Sequence, residues 1–145
     1  MSNYDPENPV TVLSEEESLE LLAGESFGRL VVRRASEVDI FPINYVVDGS
    51  RAVYFRTAEG AKLFTLSLNS DVLLETDFVD QDNATAWSVV VRGSAVKVDS
   101  ASEYAHADAL PLKPLVPTLK YNYVRVDIEA ISGRRFRLGE EPERF

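Results

Sequence analysis

Cysteine is absent from this chain, and histidine, methionine and tryptophan occur once each. Without cysteine there is no disulfide, no zinc–thiolate site, no iron–sulfur cluster and no thiol nucleophile. With His106 as the single imidazole, a metal site would rest on carboxylates, a poor donor set for a transition metal, so none is expected. Positive charge is also scarce: 15 Lys and Arg face 24 Asp and Glu, a formal net charge of −9. That balance lacks the basic footprint of a nucleic-acid binder. No apolar run approaches the roughly 20 residues of a membrane helix. The polar, acidic start Met1-Ser2-Asn3-Tyr4-Asp5 lacks the features of a secretory signal. The expectation is a cytoplasmic protein that binds neither membrane nor nucleic acid.

What is present suits one domain: 145 residues, 45% hydrophobic and 27% charged. Residues 1–12 carry Pro6 and Pro9 without periodicity and are read as an irregular arm, with residues 13–145 as the domain. Ser14-Glu15-Glu16-Glu17 spells a capping box, and Leu19, Leu22 and Ala23 follow at helical spacing, predicting a short helix over 14–23. Strand texture begins at Phe27. Val38–Val47 is a second strand in which Pro42 implies an edge, a bulge or an end. Asp48-Gly49-Ser50 is a hairpin signal leading to a third strand over 51–57. Lys62–Leu68 has a helical apolar face. Val72–Val79 is a fourth strand, and Trp87–Val98 the longest, with Gly93 marking a bulge or a close backbone approach. Ser100-Ala101-Ser102-Glu103 starts another short helix. Tyr121–Ile131 alternates as a half-buried strand, Ser132-Gly133 reads as a turn, and Arg134–Leu138 as an extension. About six strands with short turns predict a mainly β, antiparallel fold with small helices, and closure into a barrel removes open edges.

The segment with the most chemistry is Tyr54-Phe55-Arg56-Thr57-Ala58-Glu59-Gly60-Ala61-Lys62-Leu63. A strand ends in a guanidinium and a hydroxyl, a glycine opens the turn, and an ammonium sits near a helix start, which suits a phosphate. The alternative is that Arg56 and Lys62 pair with Glu59 and Glu75 on the surface. Arg134 and Arg135 are read as solvated, His106 as a surface residue, and Trp87, taken alone, as a packing anchor. A hydrolase built on Ser88, His106 and Asp108 has no nucleophile elbow to support it.

Taken in order, Phe41-Pro42-Ile43-Asn44-Tyr45-Val46-Val47, Arg56-Thr57-x-x-Gly60-x-Lys62-Leu63, Glu75-Thr76-Asp77, Trp87-Ser88-Val89-Val90-Val91-Arg92-Gly93 and Ser132-Gly133-Arg134-Arg135-Phe136 resemble the FMN-binding, pyridoxamine 5′-phosphate oxidase-like split-barrel family over about residues 14–138. The resemblance implies a six-stranded antiparallel split β-barrel and a homodimer with flavin at the seam. Carried over by position, Arg56, Thr57 and Lys62, with Leu63 beside them, would hold the FMN phosphate. Pro42, Ile43 and Asn44 would face the ring, and Trp87 and Ser88 would close the site, from the partner chain if the seam demands it. The function implied is an FMN-dependent oxidoreductase acting on a small molecule. Alternatives are a flavin store or sensor without turnover and a reductase using the deazaflavin F420. Haem ligation would have only His106. The basic and tyrosine residues with which the oxidase itself binds pyridoxamine phosphate have no counterpart that can be placed here.

Overall fold

A computed structural model describes residues 8–34, 36–57, 70–112 and 122–140. Its elements, in chain order, are β1 (Val10–Leu13), α1 (Glu15–Ala23), β2 (Phe27–Arg34), β3 (Glu37–Asp48), β4 (Ala52–Thr57), β5 (Ser70–Asp80), β6 (Thr85–Lys97), α2 (Ala101–Asp108) and β7 (Asn122–Arg137). Among the described residues, all strand pairings are antiparallel. The order β7-β4-β3-β2-β5-β6 closes on itself because β6 pairs again with β7. Six strands therefore form the ring of the split barrel, and β1 adds to the far half of β7.

Alternation along the strands builds the core. Leu30, Val32, Tyr45, Val53, Phe55, Val72, Leu74, Val89, Val91, Val124 and Val126 point inward and are buried. Each such side chain contributes about 1.5–3 kcal/mol through burial. Helix α1 adds Leu22 to the same cluster, and the Leu22 carbonyl accepts the Tyr45 hydroxyl at 2.7 Å. Burial pushes the Tyr45 phenol up to about 12. The capping box forms as read: Glu17 N donates to Ser14 Oγ, and Ser14 N to Glu17 Oε1, both at 3.1 Å.

The outer side of β4 and β7 carries a second cluster. Ala52, Tyr54 and Tyr123 are covered there by α2 through Ala107, with Val98 beside them. Polar bonds fix the helix in place. Tyr54 donates to Glu103 Oε2 at 2.8 Å, Tyr123 to Asp108 Oδ1 at 2.8 Å, and His106 Nε2 lies 2.8 Å from Asp48 Oδ2. Arg125 bridges Glu103 and Asp127.

Three features differ from the sequence expectation or sharpen it. Residues 10–12, read as part of an irregular arm, form β1 together with Leu13, against Gly133–Phe136. Four residues are too few for a readable period, and their partners lie at the other end of the chain. Residues 1–7 lie outside the described residues. Second, Ser132-Gly133 makes no turn, and β7 runs straight through it. A Cβ on Gly133 would stand 2.5 Å from Ser18 Oγ, so the glycine serves the close approach of α1. Third, Gly93 lies at a register shift between β6 and β7, where a Cβ would meet the Asp127 carbonyl at 2.1 Å. Pro42 fits for a related reason. It faces Arg29 of β2, whereas β3 and β4 pair only from Tyr45 and Phe55 onward, so no ladder donor is demanded of it on that side.

Candidate functional site

The β3–β4 hairpin places the first group of expected residues. Pro42 and Asn44 turn outward, and Ile43 between them turns into the core at 6% exposure, offering the outside only its backbone. On β4, Tyr54 and Arg56 face outward and Phe55 inward. Asn44 and Arg56 lie one step beyond the end of the β3–β4 ladder at Tyr45 and Phe55, so the two share the outer face of neighbouring strands. The amide of Asn44 is oriented by a bond from Nδ2 to the Ser26 carbonyl at 2.7 Å. Arg56 pairs in register with Tyr123 and keeps its Nε buried, while Thr57 ends the strand opposite Asn122. Lys62 and Leu63, with the whole turn and helix expected over 58–69, lie outside the described residues.

Trp87 and Ser88 are held elsewhere in the ring. Both belong to β6, with β2 and β5 standing between them and β3. Three strand spacings amount to roughly 14 Å. Trp87 sits opposite Phe78 and Arg135 and packs, half-buried, against the core. Ser88 lies between Asp77 and Arg134, and Arg134 and Arg135 are exposed. Within one chain, then, the fold brings Pro42, Asn44 and Arg56 together but not Trp87 or Ser88.

Beside Pro42 lies a charged cluster that sequence reasoning did not find. Arg29 Nη2 stands 2.5 Å from Glu75 Oε1 and 3.0 Å from Asp77 Oδ2, and its Nε donates to Glu75 at 2.9 Å. Burial, and then the neighbouring Asp77, raise the Glu75 carboxyl above its ordinary value against the opposing pull of Arg29. The hydrogen bond to Glu75 raises Arg29 in turn. Glu75 thus pairs with Arg29, while Lys62 and Glu59 of the surface-pairing alternative lie outside the described residues. Only the hairpin register, which sets Arg29 beside Pro42 and Glu75, brings the cluster into view.

His106 is half-exposed and engaged with Asp48, and Asp108 accepts from Tyr123. Ser88 stands on another strand of the ring, so these three side chains do not form a hydrolytic constellation. Among the described residues, no helix is long and apolar enough to cross a membrane.

Comparison with known proteins agrees with this architecture. The profile of the family described as Pyridoxamine 5′-phosphate oxidase matches residues 14–135. An uncharacterized protein of Mycobacterium tuberculosis is 33% identical over 131 residues, 87% of this chain and 85% of its own length. A crystal structure of a Corynebacterium glutamicum protein, named as a candidate pyridoxamine 5′-phosphate oxidase, superposes with a TM-score of 0.83 at 57% identity, covering 92% of this chain and 98% of that one. The FAD binding protein from Mycobacterium smegmatis superposes with a TM-score of 0.76 at 42% identity, covering 88% and 98%.

Proposed function

Because this chain belongs to the pyridoxamine 5′-phosphate oxidase family, we propose that it is a flavin-binding oxidoreductase that holds FMN on the outer face of the β3–β4 hairpin, at the seam of a homodimer. The observation that carries this reading is the placement of Asn44 and Arg56 side by side, where β4 leads into the segment containing Lys62. A flavin needs an anion clamp for its tail, an apolar wall and a few polar partners along its ring edge. Arg56 and Lys62 supply the clamp, with the Thr57 hydroxyl beside them. Pro42 and the Ile43 backbone supply the wall, and the Asn44 amide a polar partner. When bound, the flavin supplies the hydride or electron chemistry, and the chain binds, orients and excludes water. The substrate is a small molecule.

A second chain enters because Trp87 and Ser88 stand three strands from Asn44 in their own chain. Two-fold pairing would allow them to close the partner's site. FAD is a second reading of the cofactor, favoured by the 42% identity to a protein named for FAD binding.

The test is the visible spectrum of freshly purified protein, followed by release and mass measurement of the cofactor. A flavin band that bleaches with reduced nicotinamide and recovers with an acceptor supports an oxidoreductase; a band that does not respond supports a store. Exchanging Arg56 and Lys62 together for alanine should abolish flavin retention with the far-ultraviolet circular dichroism unchanged. Retention equal to the parent protein removes the assignment.

A further inference from the structure

Arg56 occupies the middle of an outward-facing row of three side chains. Asn44 of β3 stands on one side of it, and Tyr123 of β7, its register partner, on the other. Side chains directly opposite one another on one sheet face have Cβ atoms roughly 5 Å apart. The two flanks differ. Asn44 is half-buried, whereas Tyr123 is only 2% exposed because α2 lies over it. Three contacts hold Tyr123 still. Its hydroxyl donates to Asp108 Oδ1 at 2.8 Å, its ring meets Tyr104 edge-on with centroids 5.1 Å apart, and its carbonyl accepts from Val98 N at 3.0 Å. Tyr104 and Asp108 are one turn apart on α2, so a single helix face braces the ring from two points. Arg56 itself is half-buried, with its Nε inside. The fixed ring therefore walls off the β7 side of Arg56 and leaves the guanidinium the Asn44 side.

Resting on the flavin reading above, we propose that Tyr123, braced by Tyr104 and Asp108 of α2, positions the Arg56 guanidinium for the phosphate of the cofactor. A guanidinium grips phosphate through paired, charge-assisted hydrogen bonds of fixed geometry. An arginine side chain is long and flexible, and ordering it on binding costs affinity. Ordering it beforehand, by packing against a rigid neighbour, removes that cost. Tyr123 acts through Arg56 alone, so it is a positioning residue. Its loss weakens the hold on the phosphate and leaves the binding of the ring unaltered. Helix α2 thereby gains a role at the cofactor's tail that its place on the outer side of β4 and β7 does not by itself announce.

Fluorescence titration of the flavin-free full chain with FMN, and with riboflavin, which lacks the phosphate, tests this. The parent chain should favour FMN. Tyr123→Leu should cut that preference by about tenfold. Tyr123→Phe keeps the ring, loses the bond to Asp108 and should cut it less; it carries the test where the leucine variant does not fold. Riboflavin affinity should hold in both. Tyr54→Phe loosens α2 at its other end, leaves Tyr123 in place and should keep the parent preference. Hydrogen exchange at the Arg56 Nε–H, followed by nitrogen-15 NMR without flavin, reads the positioning directly. It should be slow in the parent chain and in Tyr54→Phe, and faster in Tyr123→Leu and Tyr123→Phe. A preference for FMN undiminished in both Tyr123 variants, or lost equally in Tyr54→Phe, overturns the proposal, as does unchanged exchange. A parent chain that binds both flavins alike overturns the phosphate clamp instead, and the exchange rates then decide by themselves whether Tyr123 fixes Arg56.

Discussion

Tyr54 donates its phenolic hydroxyl to Glu103 across 2.8 Å, and this bond ties a barrel strand to the helix lying over it. Burial pushes the Tyr54 phenol up to about 12, with the bond to Glu103 acting in the same direction. On the Glu103 side, burial works to raise the carboxyl, but the bonds from Arg125 and Tyr54 outweigh it and hold the group below its ordinary 4.5. A carboxyl depressed in the folded state stabilises fully above its unfolded value, and the contribution is lost as pH falls through the folded value.

Tyr54→Phe is therefore expected to cost about 1.5–3 kcal/mol at neutral pH, the range for a bond to a charged group. Glu103→Gln should cost a similar amount at neutral pH, and the gap from the parent protein should close on acidification below the ordinary carboxylate range. Urea midpoints measured across pH check both. A Glu103→Gln gap that is the same at acidic and neutral pH would show that the helix docks without help from this charge.

Glu75 carries the opposite sign. Its carboxyl is raised, chiefly by burial and then by Asp77, so it favours the folded state most at low pH, and that contribution is lost as pH rises through the folded value. Carbon-detected NMR titration should place Glu75 above the ordinary carboxylate value. Asp77→Asn should lower it, and Arg29→Met should raise it further. Movement in the reverse directions would mean that the guanidinium dominates the cluster.

The two close-approach glycines should differ in tolerance. Gly93→Ala sets a Cβ against the backbone oxygen of Asp127 and is expected to cost roughly 3 kcal/mol or more. Gly133→Ala meets the Ser18 hydroxyl, a small side-chain group, and should cost roughly half as much. Adding Ser18→Gly should recover part of the Gly133→Ala loss and none of the Gly93→Ala loss. Thermal melts of the single and double variants decide it.

Trp87 is the only tryptophan, so its fluorescence reports on one place. If a partner chain lays Trp87 over the flavin, loading the apoprotein should quench its emission strongly, and Trp87→Phe should bind flavin more weakly without unfolding. Emission unchanged on loading would separate Trp87 from the cofactor.

Much of the fold was legible because its signals are local. The Ser14–Glu17 capping box, the Asp48-Gly49 turn and the alternation of Val89, Val91 and Ala95 each need only a few neighbouring residues, and the structure keeps all of them. What escaped depends on pairing between distant segments. Val10–Leu13 becomes a strand only because β7 offers it an edge, and Gly133 looks like a turn until Ser18 is seen packed against it. The same holds at the site. Arg56 and Thr57 could be singled out from spacing, whereas the Arg29–Glu75–Asp77 cluster exists only through the register of β2 with β5. The outward turn of Asn44 and the inward turn of Ile43 follow from a two-residue period whose phase the sequence leaves open.

The long final strand β7 touches three others, β1, β4 and β6, and no ring exists without it. As the chain leaves the ribosome, strands β2 to β6 can assemble only as an open curved sheet, with the unsatisfied edges of β4 and β6 exposed until the last segment arrives. Contacts so distant along the chain give a high contact order, which slows folding. During that interval the nascent protein is at its most vulnerable to edge-to-edge association, and shortening β7 would prolong it indefinitely.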